Sequence, residues 1–277
     1  MNLVKSIGDK KVNLDFNKEF INTLTDKIKV ADIKFINQTL KDLHPSDVAN
    51  LIENLTSDSR SKLLEIEEFN IDPEIFVEIN ESIQSEVLLL LSTESIAKIL
   101  KRLESDNAIA ILENLETEKK NSVLDKLPPK DRFLLEEGLS YPEDSAARIM
   151  QREFTAVPSD WTVGQTIDYL RESKDLPDEF LEIFIVDNEF KPIGTVPSSR
   201  VLRTPRESKM KSIMREVPVL IMVNTDKEEV GHTFENYNLV SAGVVNKNNK
   251  LVGVITADDV VTVVQEEAEE DALRLAG

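Results

Sequence analysis

The stretch FIVDNEFKPIG (184–194) recurs as GVVNKNNKLVG (243–253), 59 positions later. In each copy an apolar run leads into Asp187 or Asn246, a polar turn follows, and an apolar residue and a glycine close the phrase. Apolar runs on both sides of an Asp/Asn-rich turn predict a β-hairpin. Ahead of each hairpin lies a helical spacing of apolar residues: Val163, Ile167 and Leu170 in one copy, Val230, Phe234 and Tyr237 in the other. Further upstream, RIMQREFTAV (148–157) is echoed by SIMREVPVLIMV (212–223). The predicted unit is strand–helix–strand–strand–helix, used twice, the first copy being longer by ESKDLPDE (172–179).

The N-terminal half repeats differently. LIENLTSDSRSKLLE (51–65) returns sixty positions later as ILENLETEKKNSVLD (111–125), and VANLIENLTSD (48–58) returns at an offset of 48 as IAKILKRLESD (96–106). The two offsets differ by twelve, which is one short helix and a turn per unit. Val48, Leu51, Ile52 and Leu55 follow the i, i+3, i+4, i+7 pattern, as do Ile96, Ile99, Leu100 and Leu103. Ser57 and Ser105 stand where helix N-caps belong, and Asp58 and Asp106 read as favourable first-turn charge. Helices this short are unstable alone, so each apolar stripe must pack on its neighbours, giving a helical superhelix over 20–137. Residues 1–19 read as a short capping helix or a frayed extension. His44, ahead of Pro45, is expected in a loop, and Trp161 is expected to pack near a helix start.

Composition narrows the function. The 277 residues carry 33 Lys+Arg against 52 Asp+Glu, a net charge of −19, which argues against nucleic acid as a partner. There is no Cys, and the two histidines, His44 and His232, are 188 positions apart, so a metal site must be built from oxygen ligands, which suit Mg²⁺ or Ca²⁺. No apolar run approaches the roughly 20 residues that span a bilayer. The start, MNLVKSIGDKK, lacks a signal peptide's apolar core. As written, the chain is expected to be soluble. With no phosphate-cradling glycine loop and no nucleophile–base arrangement, an enzyme is not expected.

The paired units resemble a tandem of CBS domains, with their IM lead-in phrases and a closing G-x-x-[ST]-x-x-D. The second copy has that closing motif as GVITADD, with Gly253, Thr256 and Asp259 in place. In the family these Thr and Asp positions hold the ribose and phosphates of an adenine nucleotide such as ATP. The first copy reads GTVPSSR and puts Pro197 and Arg200 there; Arg cannot accept a hydrogen bond from ribose. The order HPSDVANLIENL, YPEDSAARIM, two CBS units and the tail EEAEEDALRLAG resembles the cytosolic part of MgtE magnesium transporters over nearly the whole chain. The resemblance implies an α + α/β multidomain fold: an N-terminal right-handed α-superhelix of short helices, a tandem CBS (βαββα) pair and a C-terminal connecting helix. The implied boundaries are 1–19 extension, 20–137 helical domain, 138–203 first CBS domain, 204–262 second CBS domain and 263–277 connecting helix. It also implies a homodimer through the CBS domains, and five membrane spans beyond the connecting helix. The chain then reads as the soluble part of a longer multi-pass protein at the cytoplasmic face of the cell membrane.

The tail places Glu266, Glu267, Glu269, Glu270 and Asp271 within six positions, and Glu267, Glu270 and Asp271 share a helix face. Two unit charges about 6 Å apart at an effective dielectric near 20 repel by roughly 3 kcal/mol. A bare run of this kind reads as a solvated face. The family resemblance implies instead that Mg²⁺ is held by acids of the CBS helix, the closing motif and the connecting helix, matched here by Glu228, Asp259, Glu267 and Glu270, with Asp271 adjacent. Asn238 and Thr262 stand where the family has acids, so fewer or weaker ions are expected. Asp258 is either a further ligand or a helix cap. A second family site, between the helical and CBS domains, points to Asp106 and Glu113. The expected function is Mg²⁺ sensing that closes acidic interfaces and gates the absent pore. The alternatives are an adenine-nucleotide-sensing CBS module, using Thr256 and Asp259, or a soluble protein-binding adaptor without Mg²⁺ gating.

Overall fold

The computed structural model describes residues 16, 18–41, 43–66, 72–177, 179–217 and 219–276. Ten helices come first among them: α1 (Lys18–Lys29), α2 (Ile33–Leu40), α3 (Pro45–Asn54), α4 (Ser57–Glu65), α5 (Glu74–Glu78), α6 (Glu81–Leu90), α7 (Thr93–Leu100), α8 (Ser105–Glu113), α9 (Thr117–Leu124) and α10 (Pro129–Leu139). The starts of α2, α3 and α4 are twelve residues apart, and so are those of α6 to α10. Leu43, Leu55, Leu91, Leu103, Leu115, Leu127 and Leu139 each fall ten positions after such a start. Leu55 and Leu91 stand in extended backbone just past α3 and α6, and Leu55, Leu103, Leu115 and Leu127 are buried. At those four positions the leucine that follows a helix is thus also a core residue, which makes the turn part of the packing.

Small polar side chains open the helices. Asp32, Thr56, Asn80 and Ser92 each accept a hydrogen bond from a backbone N–H of the first turn. Thr56, rather than the expected Ser57, therefore caps α4; Ser57 is its first residue and donates to Glu86. His44 caps α3 through its ring, which accepts from Ser46 N. Cations close other ends. Arg60 donates to the carbonyls of Ile52 and Leu55 and pairs with Glu86 at 2.7 Å, and Lys119 donates to the carbonyls of Leu88 and Leu91. Both satisfy C-terminal carbonyls that a helix leaves without partners.

The chain divides into two compact units: residues up to Leu103 with Ile111–Leu127, and Glu104–Ala110 with the chain from Pro128 onward. In the first unit Leu24, Ile28, Ile36, Val48, Leu51, Ile52, Leu63 and Ile75 form one apolar core. Fully burying such side chains contributes about 1.5–3 kcal/mol each.

The second unit adds β1 (Ala156–Pro158), α11 (Val163–Glu172), β2 (Glu182–Val186), β3 (Pro192–Pro197) and α12 (Ser198–Arg203). After α13 (Met210–Ile213) come β4 (Leu220–Met222), α14 (Lys227–Tyr237), β5 (Ser241–Val245), β6 (Leu251–Thr256) and α15 (Ala257–Ala276). Each repeat is a three-stranded sheet, β1-β2-β3 or β4-β5-β6, with a parallel pair followed by an antiparallel hairpin. The two repeats exchange their lead-in phrases. Ala146, Ala147 and Met150 pack in the core of the second repeat, and Met210, Ile213 and Met214 in that of the first. Gln151 bridges to Val254 of β6, and Arg215 to Thr195 of β3. Gly253 permits the crossing, because a Cβ there would lie 2.6 Å from Met150 Sδ and 2.8 Å from the Gln151 carbonyl. Val230 and Phe234 of α14 are buried, whereas Tyr237, expected on the same face, is exposed. Trp161 packs edge-on against Tyr169 near the start of α11. Among the described residues no helix is long and apolar enough to cross a membrane.

Candidate functional site

In the second unit, three segments distant in sequence meet: Glu104–Asp106 at the start of α8, Gln151–Glu153 of the exchanged lead-in, and Thr256–Asp259, the end of β6 and the first turn of α15 that follows it directly. Ser105 ties the first two together. Its hydroxyl donates to Glu153 Oε2 at 2.8 Å and accepts from Arg152 N at 2.8 Å, and its N–H donates to the same Glu153 oxygen. Ser105 is therefore a bridge between segments rather than the expected cap. Gln151 Nε2 donates to Glu104 Oε2 at 2.8 Å and, more weakly, to Asp259 Oδ2 at 3.4 Å. Asp259 Oδ2 also accepts from Thr256 N at 3.2 Å and Thr256 Oγ1 at 2.6 Å.

Asp106 and Asp259 face each other at this junction. Asp106 is only 6% exposed and its Oδ1 has no hydrogen-bond partner. Burial, and then the charge of Asp259, push the Asp106 carboxyl well above the usual carboxylate range. Burial also raises Asp259, opposed by its hydrogen bonds from Thr256. Two ionised carboxylates facing each other in a poorly hydrated place repel, and a shared proton or a cation would relieve that repulsion. The sequence treats Asp58 and Asp106 alike, but the fold separates them: Asp58 is exposed and pairs with Lys62 at 2.8 Å, whereas Asp106 is buried against a second acid.

The other candidates lie elsewhere. Glu228 is exposed on the first turn of α14, and Asp258 is exposed on the first turn of α15. Asn238 is exposed and ends α14 in the left-handed conformation, φ 49° and ψ 49°, which Asn tolerates better than most residues. Glu267 lies 3.7 Å from Lys227 Nζ, which also reaches Asp144 at 3.5 Å, so an ammonium already stands beside that acid. The side chains of Glu270 and Asp271 lie outside the described residues, and Glu113 belongs with the first unit. Among the described residues no three acidic or histidine side chains gather to enclose an ion. Mg²⁺ does not need three, since it keeps several waters and binds through one or two carboxylates. The orphaned Asp106 oxygen beside Asp259 fits that requirement. Glu104, Ser105, Gln151, Arg152, Glu153 and Lys227 were not legible as site residues, because their roles follow from the exchanged lead-in and from packing. In the first repeat, Arg200 donates to the Ile213 carbonyl at 2.9 Å, which gives it a structural partner where the motif has a ribose acceptor.

Residues 43–144 match the MgtE intracellular N domain, and residues 146–207 and 210–266 match CBS domains. The chain thus joins an MgtE N domain to a tandem pair of CBS domains. Curated relatives are the magnesium transporters MgtE of Thermus thermophilus, 30% identical over 149 residues, and of Bacillus subtilis, 28% identical over 138 residues. The alignments cover 54% and 50% of this chain but only 33% and 31% of those proteins, so the chain spans about a third of the relatives it matches. The cytosolic domain of the Mg²⁺ channel MgtE in complex with ATP has a similar structure, with a TM-score of 0.80 at 25% identity, covering 88% of this chain and 99% of that one. The soluble part of a magnesium transporter shares the fold, with a TM-score of 0.78 at 22% identity, covering 90% of this chain and 98% of that one.

Proposed function

We propose that this chain is the Mg²⁺-sensing regulatory part of an MgtE-type magnesium transporter, composed of a helical domain over 20–137, CBS domains over 138–203 and 204–262, and a connecting helix from 263. The observation that carries the reading is the pairing of buried Asp106, one carboxyl oxygen of which is unpartnered, with half-buried Asp259. A bound Mg²⁺ would supply two positive charges at a place where two carboxylates otherwise repel. Asp106 and Asp259 would hold it, with water completing the shell. Thr256 fixes the Asp259 carboxylate through two hydrogen bonds, and Gln151 steadies Glu104 beside it. With the pair neutralised, the start of α8 is held on the CBS turn; with both carboxyls charged, that junction is strained. Glu228, Asn238, Asp258, Glu267, Glu270 and Asp271 would form a second, weaker acidic region along α14 and α15, and Glu113 is kept as a weaker candidate. Dimerisation through the CBS domains and coupling to a membrane domain complete the proposal, and place the chain at the cytoplasmic face of the membrane.

Calorimetric Mg²⁺ titration tests this, with ionic strength held by NaCl. The wild-type chain should bind Mg²⁺ with a rise in melting temperature, and Asp106→Asn combined with Asp259→Asn should abolish one class of binding and most of that rise. Unchanged binding and melting in the double variant would overturn the assignment of the pair.

A second reading is supported by the Thr256–Asp259 turn and by the ATP complex of the structural neighbour. Here Thr256 and Asp259 take the ribose of an adenine nucleotide. Both readings use Asp259, so ATP titrations with and without Mg²⁺ distinguish them: binding that needs Asp259 but not Asp106 belongs to the nucleotide.

A further inference from the structure

Four buried side-chain atoms among the described residues have no hydrogen-bond partner, and three of them belong to this junction: Asp106 Oδ1 and Arg152 Nη1 and Nη2. The two residues spring from neighbouring points of the backbone, since Arg152 N donates to Ser105 Oγ at 2.8 Å and Asp106 is the next residue. The guanidinium lies against Gly138 of α10, where a Cβ would come within 3.1 Å of Nη2. Glu137, Glu153 and Asp106 are the acids whose charge acts on it. A buried guanidinium with two unused donor nitrogens and a buried carboxyl with an unused acceptor thus belong to one junction, not hydrogen-bonded to each other but close enough for the charge of Asp106 to act on Arg152. Arg is not deprotonated in proteins, and its five N–H donors have a fixed geometry. A permanent charge in a poorly solvated pocket acts on a second cation far more strongly than it would at the surface.

We propose that Arg152 is a built-in competitor of the divalent cation at Asp106–Asp259: it offsets the negative charge of the ion-free pair and opposes ion binding, setting the Mg²⁺ concentration at which the site fills. The inference rests on reading the pair as a cation site. It makes Arg152 a determinant of the sensor's threshold, although Arg152 is not itself a ligand.

The test uses the full chain with MgCl₂ as the probe, and compares wild type, Arg152→Gln, Arg152→Lys and the Asp106→Asn/Asp259→Asn double variant. Removing the charge with Gln should tighten the binding class that the double variant lacks by about tenfold, equivalent to about 1.4 kcal/mol. It should also lower the melting temperature without Mg²⁺ and widen the rise on adding it. The Lys variant keeps the charge and should stay within about threefold of wild type. If Arg152→Gln does not fold, Arg152→Met fills similar space without charge and carries the same expectation. A residue that only packs would lower both melting temperatures equally and leave affinity unchanged, which would overturn the proposal. A Lys variant that binds as tightly as the Gln variant would overturn the charge argument. If the double variant binds Mg²⁺ like wild type, the site and this inference both fall; if it loses that binding and the Gln variant shows no shift, only the inference falls.

Discussion

Asp106 is the residue whose chemistry depends most on its surroundings. On an isolated helix it would be a first-turn acid favoured by the helix dipole. Here it is buried against Asp259, and both carboxyls are raised from their ordinary value of 3.8, chiefly by burial. The folded pair therefore binds protons that the unfolded chain has released. Its favourable contribution is complete below the unfolded value and is lost as pH rises through the raised values. Without Mg²⁺, the wild type should lose stability relative to the Asp106→Asn/Asp259→Asn variant as pH rises above the ordinary carboxylate value of 3.8 and through the raised values of the pair, and Mg²⁺ should restore it. Denaturation curves for both proteins across that range measure the difference, and parallel curves would mean that the pair is not coupled to folding. Nothing in the sequence separates Asp106 from Asp58, since both follow a serine at a predicted helix start. The difference arises from what packs over them.

At the scale of elements, the twelve-residue spacing explains how helices of 8 to 11 residues, such as α2, α3, α7 and α10, persist. Each is marginal alone and is held by leucines at fixed positions. Gly138 shows how close the packing is. A Cβ there would collide with the Ile109 side chain and crowd Arg152. Gly138→Ala should destabilise the chain by about 1–3 kcal/mol in urea denaturation, because overpacking outweighs the gain in helix propensity. A neutral or stabilising result would mean that α10 shifts freely against the first turns of α8. The twelve-residue period and the hairpins were readable because local spacing produces both. The exchange of lead-in phrases was not, since IM followed by polar residues looks the same whichever sheet it joins. Which core receives Met150 and Met214 is set by long-range packing beside Gly253 and Gly194.

For the whole molecule, the net charge of −19 sets the expectation. Acidic surfaces repel across solvent, and this repulsion is screened by any salt, whereas binding at a carboxylate pair is specific to the divalent ion. Small-angle scattering across a Mg²⁺ series, matched in ionic strength with NaCl, should show compaction with Mg²⁺ alone. Asp259→Asn should reduce it, and so should Glu267→Ala combined with Glu270→Ala. A radius of gyration that does not respond to Mg²⁺ would rule out domain closure in this part of the protein and favour nucleotide binding at Asp259.

By itself the order of amino acids determines the helical repeat, the two hairpin units and their domain order, because those depend on period, capping and turn residues a few positions apart. It also points to oxygen ligands, through the lack of Cys and the remoteness of the two His. Only the tertiary structure decides which acid is buried, that Lys227 already stands beside Glu267, and that two donor nitrogens of Arg152 are buried without partners at the junction that holds Asp106. Burial and electrostatic coupling act between side chains brought together from positions 104–106, 151–153 and 256–259, and no local pattern encodes that meeting.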